Sequence, residues 1–416
     1  MLKIRSLIAA VLLLACVPAF ARARWTEQQA LTWQKSQPWP VGANFLPSTA
    51  GNQLEMWQKE TWDPATIDRE LGWAEKIGMN TMRVFLHDLL WKSDPDGFSK
   101  RIDEFLTIAD KHHIHPVLVL FDSCWDPQPH LGAQRQPTPG VHNSVWVQSP
   151  GVALEDRSQD ARYEAYVKGV IGRFANDKRI LAWDLWNEPD NEGGGNYKFT
   201  EPKNKDQIVF MLLPKVFDWA RSVDPVQPLT SGVWHNEHWE DQSKWNPAMR
   251  TQLTQSDIIS FHNYDWPEKF EQRIKSLLPL HRPILCTEYM ARANGSTFDG
   301  SLPIAAKYNV GAINWGLVQG KEQTELPWES WDHPYVTKKP PIWFHEVFHT
   351  DGRPYRRAEV QLIRTLTREK PMWLTPFQYT RLGEMAAGAP NALLGSPTPL
   401  RVPPPPNPPP ARPEAK

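Results

Sequence analysis

Along this chain the apolar residues follow two alternating patterns. From about Trp39 to Lys370, short and nearly continuous apolar runs give way to stretches in which apolar residues recur every three or four positions. Runs of the first kind, such as Val117-Leu118-Val119-Leu120-Phe121, read as strands buried on both faces of a parallel sheet. Strand candidates begin near Val41, Asn80, His115, Ile180, Val226, Asp257, Pro283 and Gly311. Between them the spacing predicts amphipathic helices. One starts at Asp63-Pro64, an N-cap followed by a first-turn proline, places Ile67, Leu71, Ala74 and Ile77 on one face, and ends at Gly78. A second is expected from Ser99, with Ile102, Phe105, Leu106 and Ala109 inward. A third carries Tyr163, Tyr166, Val167, Val170, Ile171 and Phe174 on one side.

Eight such units predict an α/β fold, a single (β/α)8 TIM barrel with long βα insertions at its C-terminal rim. A doubly wound open sheet is the alternative, and would favour a glycine-rich phosphate loop after a strand. No GxGxxG occupies such a place, and Gly193-Gly194-Gly195 reads as a flexible loop. The insertions expected at the rim are Ser123 to Glu155, after the third strand, and Gly320 to Phe344, after the eighth.

The ends differ from this body. Lys3 and Arg5, then an apolar stretch from Leu7 to Val17 too short to span a bilayer, then Ala19-Phe20-Ala21, read as an export signal cleaved near Ala21. Leu13-Leu14-Ala15-Cys16 offers a competing lipoprotein signal, with a lipid anchor at Cys16. The expected domains are a signal peptide over 1–21, a catalytic barrel over 22–370 and an extended tail over 371–416. Ten of the last twenty residues are proline, so that tail cannot bury a core. The expected location is secreted or periplasmic. After processing only Cys124 and Cys286 remain, and both are expected as buried free thiols rather than a disulfide framework.

Composition narrows the chemistry. A net charge of -1 in 416 residues gives no basic footprint for nucleic acid or an anionic membrane. Tryptophan is the outlier at 21 residues, and many will be core. Nine sit in apparent loops as a set of candidates for stacking on sugar rings: Trp57, Trp62, Trp91, Trp125, Trp146, Trp239, Trp245, Trp328 and Trp331.

Two strand ends carry the sharpest signal. Trp183-Asp184-Leu185-Trp186-Asn187-Glu188-Pro189 should end as a strand at the proline, with Glu188 at its mouth. Pro283-Ile284-Leu285-Cys286-Thr287-Glu288-Tyr289 places Glu288 likewise, on the facing side of an eight-strand barrel. Two opposed carboxyls are what glycosidic cleavage needs. Metal chemistry finds no support, since neither the histidines at 112, 113 and 115 nor His235-Asn236-Glu237-His238 form a ligand set. A GxSxG nucleophile elbow is absent, and no cofactor is implied.

Asn187-Glu188-Pro189 on strand four with Glu288 on strand seven resembles the retaining TIM-barrel glycoside hydrolases of clan A, and within it the cellulase family 5 enzymes. The resemblance runs from Val41 to about Phe344. It implies Glu188 as acid/base and Glu288 as nucleophile, with Arg83 on strand two holding Glu288. It further implies Asn187 on the sugar 2-hydroxyl, Tyr264 donating to Glu288, His262 contacting substrate or the acid/base, and Trp315 as the platform of the cleavage subsite. A histidine usual at the end of strand three is missing; Phe121-Asp122-Ser123 stands there, and Asp122 is a candidate to bind sugar instead. His235 is a further substrate-contact candidate. The resemblance implies a cellulase-like endo-β-glucanase acting on polysaccharide or oligosaccharide; the sequence leaves the oligomeric state open, with a monomer favoured. Exo action of a mannosidase or galactosidase kind, transglycosylation and a non-hydrolytic binding barrel are the alternatives.

Overall fold

A computed structural model describes residues 21–235 and 238–373, which lie within one compact unit. The signal and lipoprotein readings and nearly all of the proline-rich tail lie outside the described residues. Eight strands alternate with helices: β1 (Val41–Asn44), β2 (Thr81–Phe85), β3 (Val117–Asp122), β4 (Ala182–Asn187), β5 (Leu229–Thr230), β6 (Ile259–Asn263), β7 (Ile284–Tyr289) and β8 (Gly311–Trp315). All seven ladders are parallel, in the order β5-β4-β3-β2-β1-β8-β7-β6. A parallel bridge from Val233 to Phe261 joins the two ends. The (β/α)8 barrel is thereby borne out. Every strand residue is buried, as a barrel enclosed by helices requires.

The helices mostly follow their sequence signals. Asp63 caps Pro64–Lys76, and Ile67, Leu71 and Ala74 are buried. Gly78 takes φ +88°, the left-handed conformation glycine permits after a helix end. The helix expected from Ser99 begins earlier, at Pro95, because Asp94 accepts from the Gly97 N–H and Pro95 opens the first turn. This is the Asp-Pro device of Asp63-Pro64 used a second time. The fifth strand is shorter than expected: Val226 is 48% exposed at a bend, and the ladder with β4 is confined to Leu229 and Thr230. A first helix, Glu27–Lys35 with a Thr26/Gln29 capping box, precedes the barrel and was not expected. Order extends past Lys370, since buried Trp373 donates from Nε1 to the Asn309 carbonyl at 2.7 Å.

One irregularity serves the site. In the β6–β7 ladder Phe261 faces Cys286 but His262 faces Glu288, so Thr287 is an extra residue. A bulge of this kind re-aims the side chains after it, here Glu288 and Tyr289.

Candidate active site

Arg83, Asp184, Asn187 and Glu288 come from three strands and meet under the mouth of the barrel. Charged side chains are rarely fully buried unless paired, and here each charge has an opposite one beside it. Arg83 Nη1 donates to Glu288 Oε1 at 2.7 Å and to Asn44 Oδ1 at 2.9 Å. Nε and Nη2 both donate to Asp184 Oδ2, at 3.0 and 2.8 Å, and Nη2 also reaches Asn187 Oδ1 at 2.6 Å. Because the guanidinium only donates, Asn187 must turn its oxygen to Arg83 and its Nδ2 toward Asp122 and the cleft.

Glu288 is further held by Tyr264, whose hydroxyl donates to Oε2 at 2.8 Å. Glu188 sits past the end of β4 at φ +41°, an uncommon conformation for a residue with a side chain, fixed between the strand and Pro189. Its neighbours are uncharged donors or donor–acceptors. Asn191 Nδ2 donates to Oε2 at 2.7 Å, the Cys124 thiol donates to Oε2 at 3.3 Å, and His262 Nδ1 lies 2.7 Å from Oε1. His262 Nε2 stands 3.6 Å from Glu288 Oε1, so the imidazole bridges the two carboxyls.

One carboxylate oxygen from each glutamate and one His262 nitrogen all lie within 4.8 Å of one another. That matches the roughly 5–5.5 Å carboxyl spacing of a retaining site better than the roughly 6.5–9.5 Å of an inverting one. Among the described residues this trio is also the one cluster with metal-holding geometry, and its partners are those of a carboxyl pair.

Protonation follows from the partners. Burial pushes both carboxyls up from their ordinary range; the charge of Glu188 adds to the rise at Glu288, and that of Asp190 to the rise at Glu188. Only Glu288 has a guanidinium at hydrogen-bond distance, so the proton the pair retains belongs on Glu188. Burial lowers His262 to about 4, leaving it a neutral imidazole between them. Burial likewise pushes the Cys124 thiol up, keeping it a donor.

A cleft of about 510 Å³ opens above the pair. Asn187, Tyr264 and Trp315 line it with the two glutamates. Trp315 packs edge-on against Phe85 and Trp146, with ring centroids 5.8 and 5.7 Å away.

Two site expectations need correction. Asp122 does not face the cleft. It is buried, and its oxygens are taken by Trp146 Nε1 at 2.5 Å, Asn187 Nδ2 at 2.9 Å, Gln53 Nε2 at 3.3 Å and the Cys124 N–H at 3.2 Å. It positions Asn187 rather than binding sugar. His235 turns outside the lining and pairs with Asp190 at 2.8 Å, while its neighbour Trp234 lines the cleft. Cys286 is a buried free thiol as expected, but Cys124 is only half-buried and belongs to the site.

The loop tryptophans divide. Trp57, Trp146, Trp239 and Trp245 are core, Trp62 stacks on Trp57 at 5.4 Å, and Trp91 packs beside Gly169. Trp125, Trp328 and Trp331 line the cleft. Sequence reasoning missed Asn44, Asp184, Asn191, His142 and His345. Asp184 alone had a readable signal, a charge inside an otherwise apolar strand that demands a buried partner.

No family model matches the chain. Among curated proteins it is similar to mannan endo-1,4-beta-mannosidase A of Emericella nidulans, 31% identical over 94 residues, 23% of this chain and 22% of that protein. It is also similar to the mannan endo-1,4-beta-mannosidase of Mytilus edulis, 21% identical over 239 residues, 50% of this chain and 62% of the relative. The chain thus matches less than two thirds of either relative's length. The fold is shared with an exo-beta-1,4-mannosidase from Opitutaceae bacterium strain TAV5, at TM-score 0.53 and 18% identity over 80% of this chain and 59% of that one. It is shared too with the endo-1,4-beta-mannanase of Rhizomucor miehei, at TM-score 0.52 and 12% identity over 80% and 96%.

Proposed function

We propose that this chain, a relative of the clan A glycoside hydrolases close to family 5, hydrolyses β-mannosidic linkages with retention of configuration. The observation that carries retention is the close spacing of the Glu188 and Glu288 carboxyls, with a guanidinium on Glu288 alone. Glu288 attacks the anomeric carbon while Glu188 passes its proton to the departing glycosidic oxygen. That C–O bond breaks and a glycosyl ester forms on Glu288. Glu188, now a carboxylate, takes a proton from water as the water attacks the same carbon and frees Glu288. Arg83 and Tyr264 hold the nucleophile, and Asn187, on the cleft lining with its Nδ2 held by Asp122 and the Cys124 sulfur, is placed to meet the 2-hydroxyl. His262, neutral and between the pair, adds no positive charge that would draw the proton off Glu188.

The matched relatives draw the substrate away from the glucan expected of a cellulase-like enzyme, since the curated ones are named as mannanases. Export is part of this proposal. The basic, apolar and small-residue order of the first 21 residues supports it, as does a polymeric substrate that cannot enter a cell. The test is release of sugar from β-mannan, glucan, xylan and galactan by the mature protein, with Glu288→Gln as control. Mannan-specific release lost in the control is the expected result. Release from glucan alone would return the enzyme to the cellulase reading, and silence on all four would end the hydrolase reading.

A further inference from the structure

The two long rim insertions lock together. The Asn143 N–H donates to the Glu322 carbonyl at 2.9 Å, and the Tyr335 N–H to the Gly140 carbonyl at 2.8 Å. The His142 N–H donates to Ser330 Oγ at 2.8 Å, and Gln323 Nε2 to the Thr138 carbonyl at 2.9 Å. Trp125 from the loop after β3 and Trp331 from the loop after β8 stack at 5.4 Å and 13°. The loop after β4 joins them. Tyr197 meets Trp331 edge-on at 5.5 Å. A Cβ on Gly194 would come within 2.7 Å of the Trp125 ring, and one on Gly195, at φ +54°, within 2.3 Å of Trp331. The glycines therefore let the backbone lie directly against the two indoles.

In barrel order β8 and β3 flank β1 and β2, so these loops meet over the mouths of β1 and β2. Opposite them the rim is low at β6, while the loop after β5 runs over residues 231–246. Past β6 the chain enters the helix Pro267–Leu277 after only Tyr264, Asp265 and Trp266. Trp234 lines the cleft on the β5 side. The cleft volume of about 510 Å³ falls within the range of small-ligand sites, and one side stays open to solvent.

The joined loops also supply groups that can hold sugar hydroxyls. His142 and His345 line the cleft, one from each of them. Their Nδ1 atoms bond the carbonyls of Leu326 and Met290 at 2.7 and 2.6 Å. A carbonyl only accepts, so each Nδ1 carries the hydrogen and each Nε2 is an acceptor. Burial lowers His142 to about 4 and His345 well below its ordinary value, which keeps both as acceptors in mild acid.

We propose that the cleft is blind at its glycone end and that the enzyme removes one short unit of fixed length from the non-reducing end of a β-mannoside chain. This rests on the hydrolase reading above. Trp315, the platform for the glycone, belongs to β8, beside the wall. Glu188 on β4 must face the leaving oxygen, so the rest of the chain departs over β5 and β6.

The test uses the mature protein and β-1,4-mannohexaose labelled at its reducing end, sampled before a tenth is consumed. The expected result is one unlabelled product of a single size and one labelled fragment shorter than the hexaose by that unit. Labelled and unlabelled fragments of several sizes at the first time point would overturn the blind end while leaving hydrolysis intact. Release of the label on the short product would overturn the orientation. No cleavage of the hexaose or of any β-mannoside would remove the hydrolase reading and this inference together. Trp331→Ala opens the stack and should raise the share of internal cleavage several-fold; a variant that hydrolyses with the wild-type product pattern would overturn the wall.

Discussion

The floor and the rim of this cleft are built by different means. The floor is a set of charges on β2, β4 and β7, fully buried and joined through one guanidinium. The rim is loop backbone, stacked indoles and glycines, half-buried and joined by neutral hydrogen bonds. A buried charge network tolerates no missing member, because the partner left behind has no water to turn to. A neutral loop interface can lose one contact and keep its course. The floor should therefore decide whether the reaction occurs, and the rim which substrates reach it.

The largest expected effects fall on the floor. Glu188→Gln and Glu288→Gln should each lower kcat by roughly 10²–10⁴-fold or more on mannan, measured by reducing-sugar release. A variant within a few-fold of wild type would dissolve the contrast at once. Arg83→Met should follow, since it leaves Asp184 and Glu288 buried without their cation. Loss of about 3–5 kcal/mol in urea unfolding is expected from breaking such a pair. Trp331→Ala on the rim should cost far less stability, and an equal loss would show that the two regions are held alike.

Tyr264→Phe removes one donor to Glu288 and keeps the ring. Loss of a hydrogen bond to a charged group is worth about 1.5–3 kcal/mol, so kcat/KM should fall by about 10- to 100-fold. The acidic limb of its pH profile should move upward, because the carboxylate loses a donor.

The last expected effect lies in the rim and falls on stability rather than on turnover. Burial pushes Glu346 up to about 8. A carboxyl raised on folding contributes stability that is full below its unfolded value, near 4.5, and lost as pH rises through 8. Tm should therefore decline across that window. Glu346→Gln, neutral throughout, should flatten the decline; an unchanged slope would remove Glu346 as its cause.

The same division explains what the sequence revealed. Strands buried on both faces are continuous apolar runs, so their starts were readable to within a few residues, and Glu188 and Glu288 stood out as carboxyls at their ends. Asp122 looked equivalent, a carboxylate ending β3. Only its contacts with Trp146 and Asn187 separate it from them. The tryptophans were illegible for a related reason. Trp146 and Trp331 both sit in polar insertions, and burial of one but not the other depends on which loop folds against it. His142 and His345 carry no local signal either, since their shared edge of the cleft exists only once two distant loops meet.

The central claim is the division of roles between two carboxyls that burial treats alike. It is tested most directly by azide rescue of Glu188→Ala and Glu288→Ala on an activated aryl β-mannoside, with the product's anomeric configuration read by NMR. Without Glu188 the ester on Glu288 still forms, and azide should open it to the β-mannosyl azide. Without Glu288, azide should attack in its place and give the α-mannosyl azide. The reverse pairing, or the same anomer from both variants, would contradict the account.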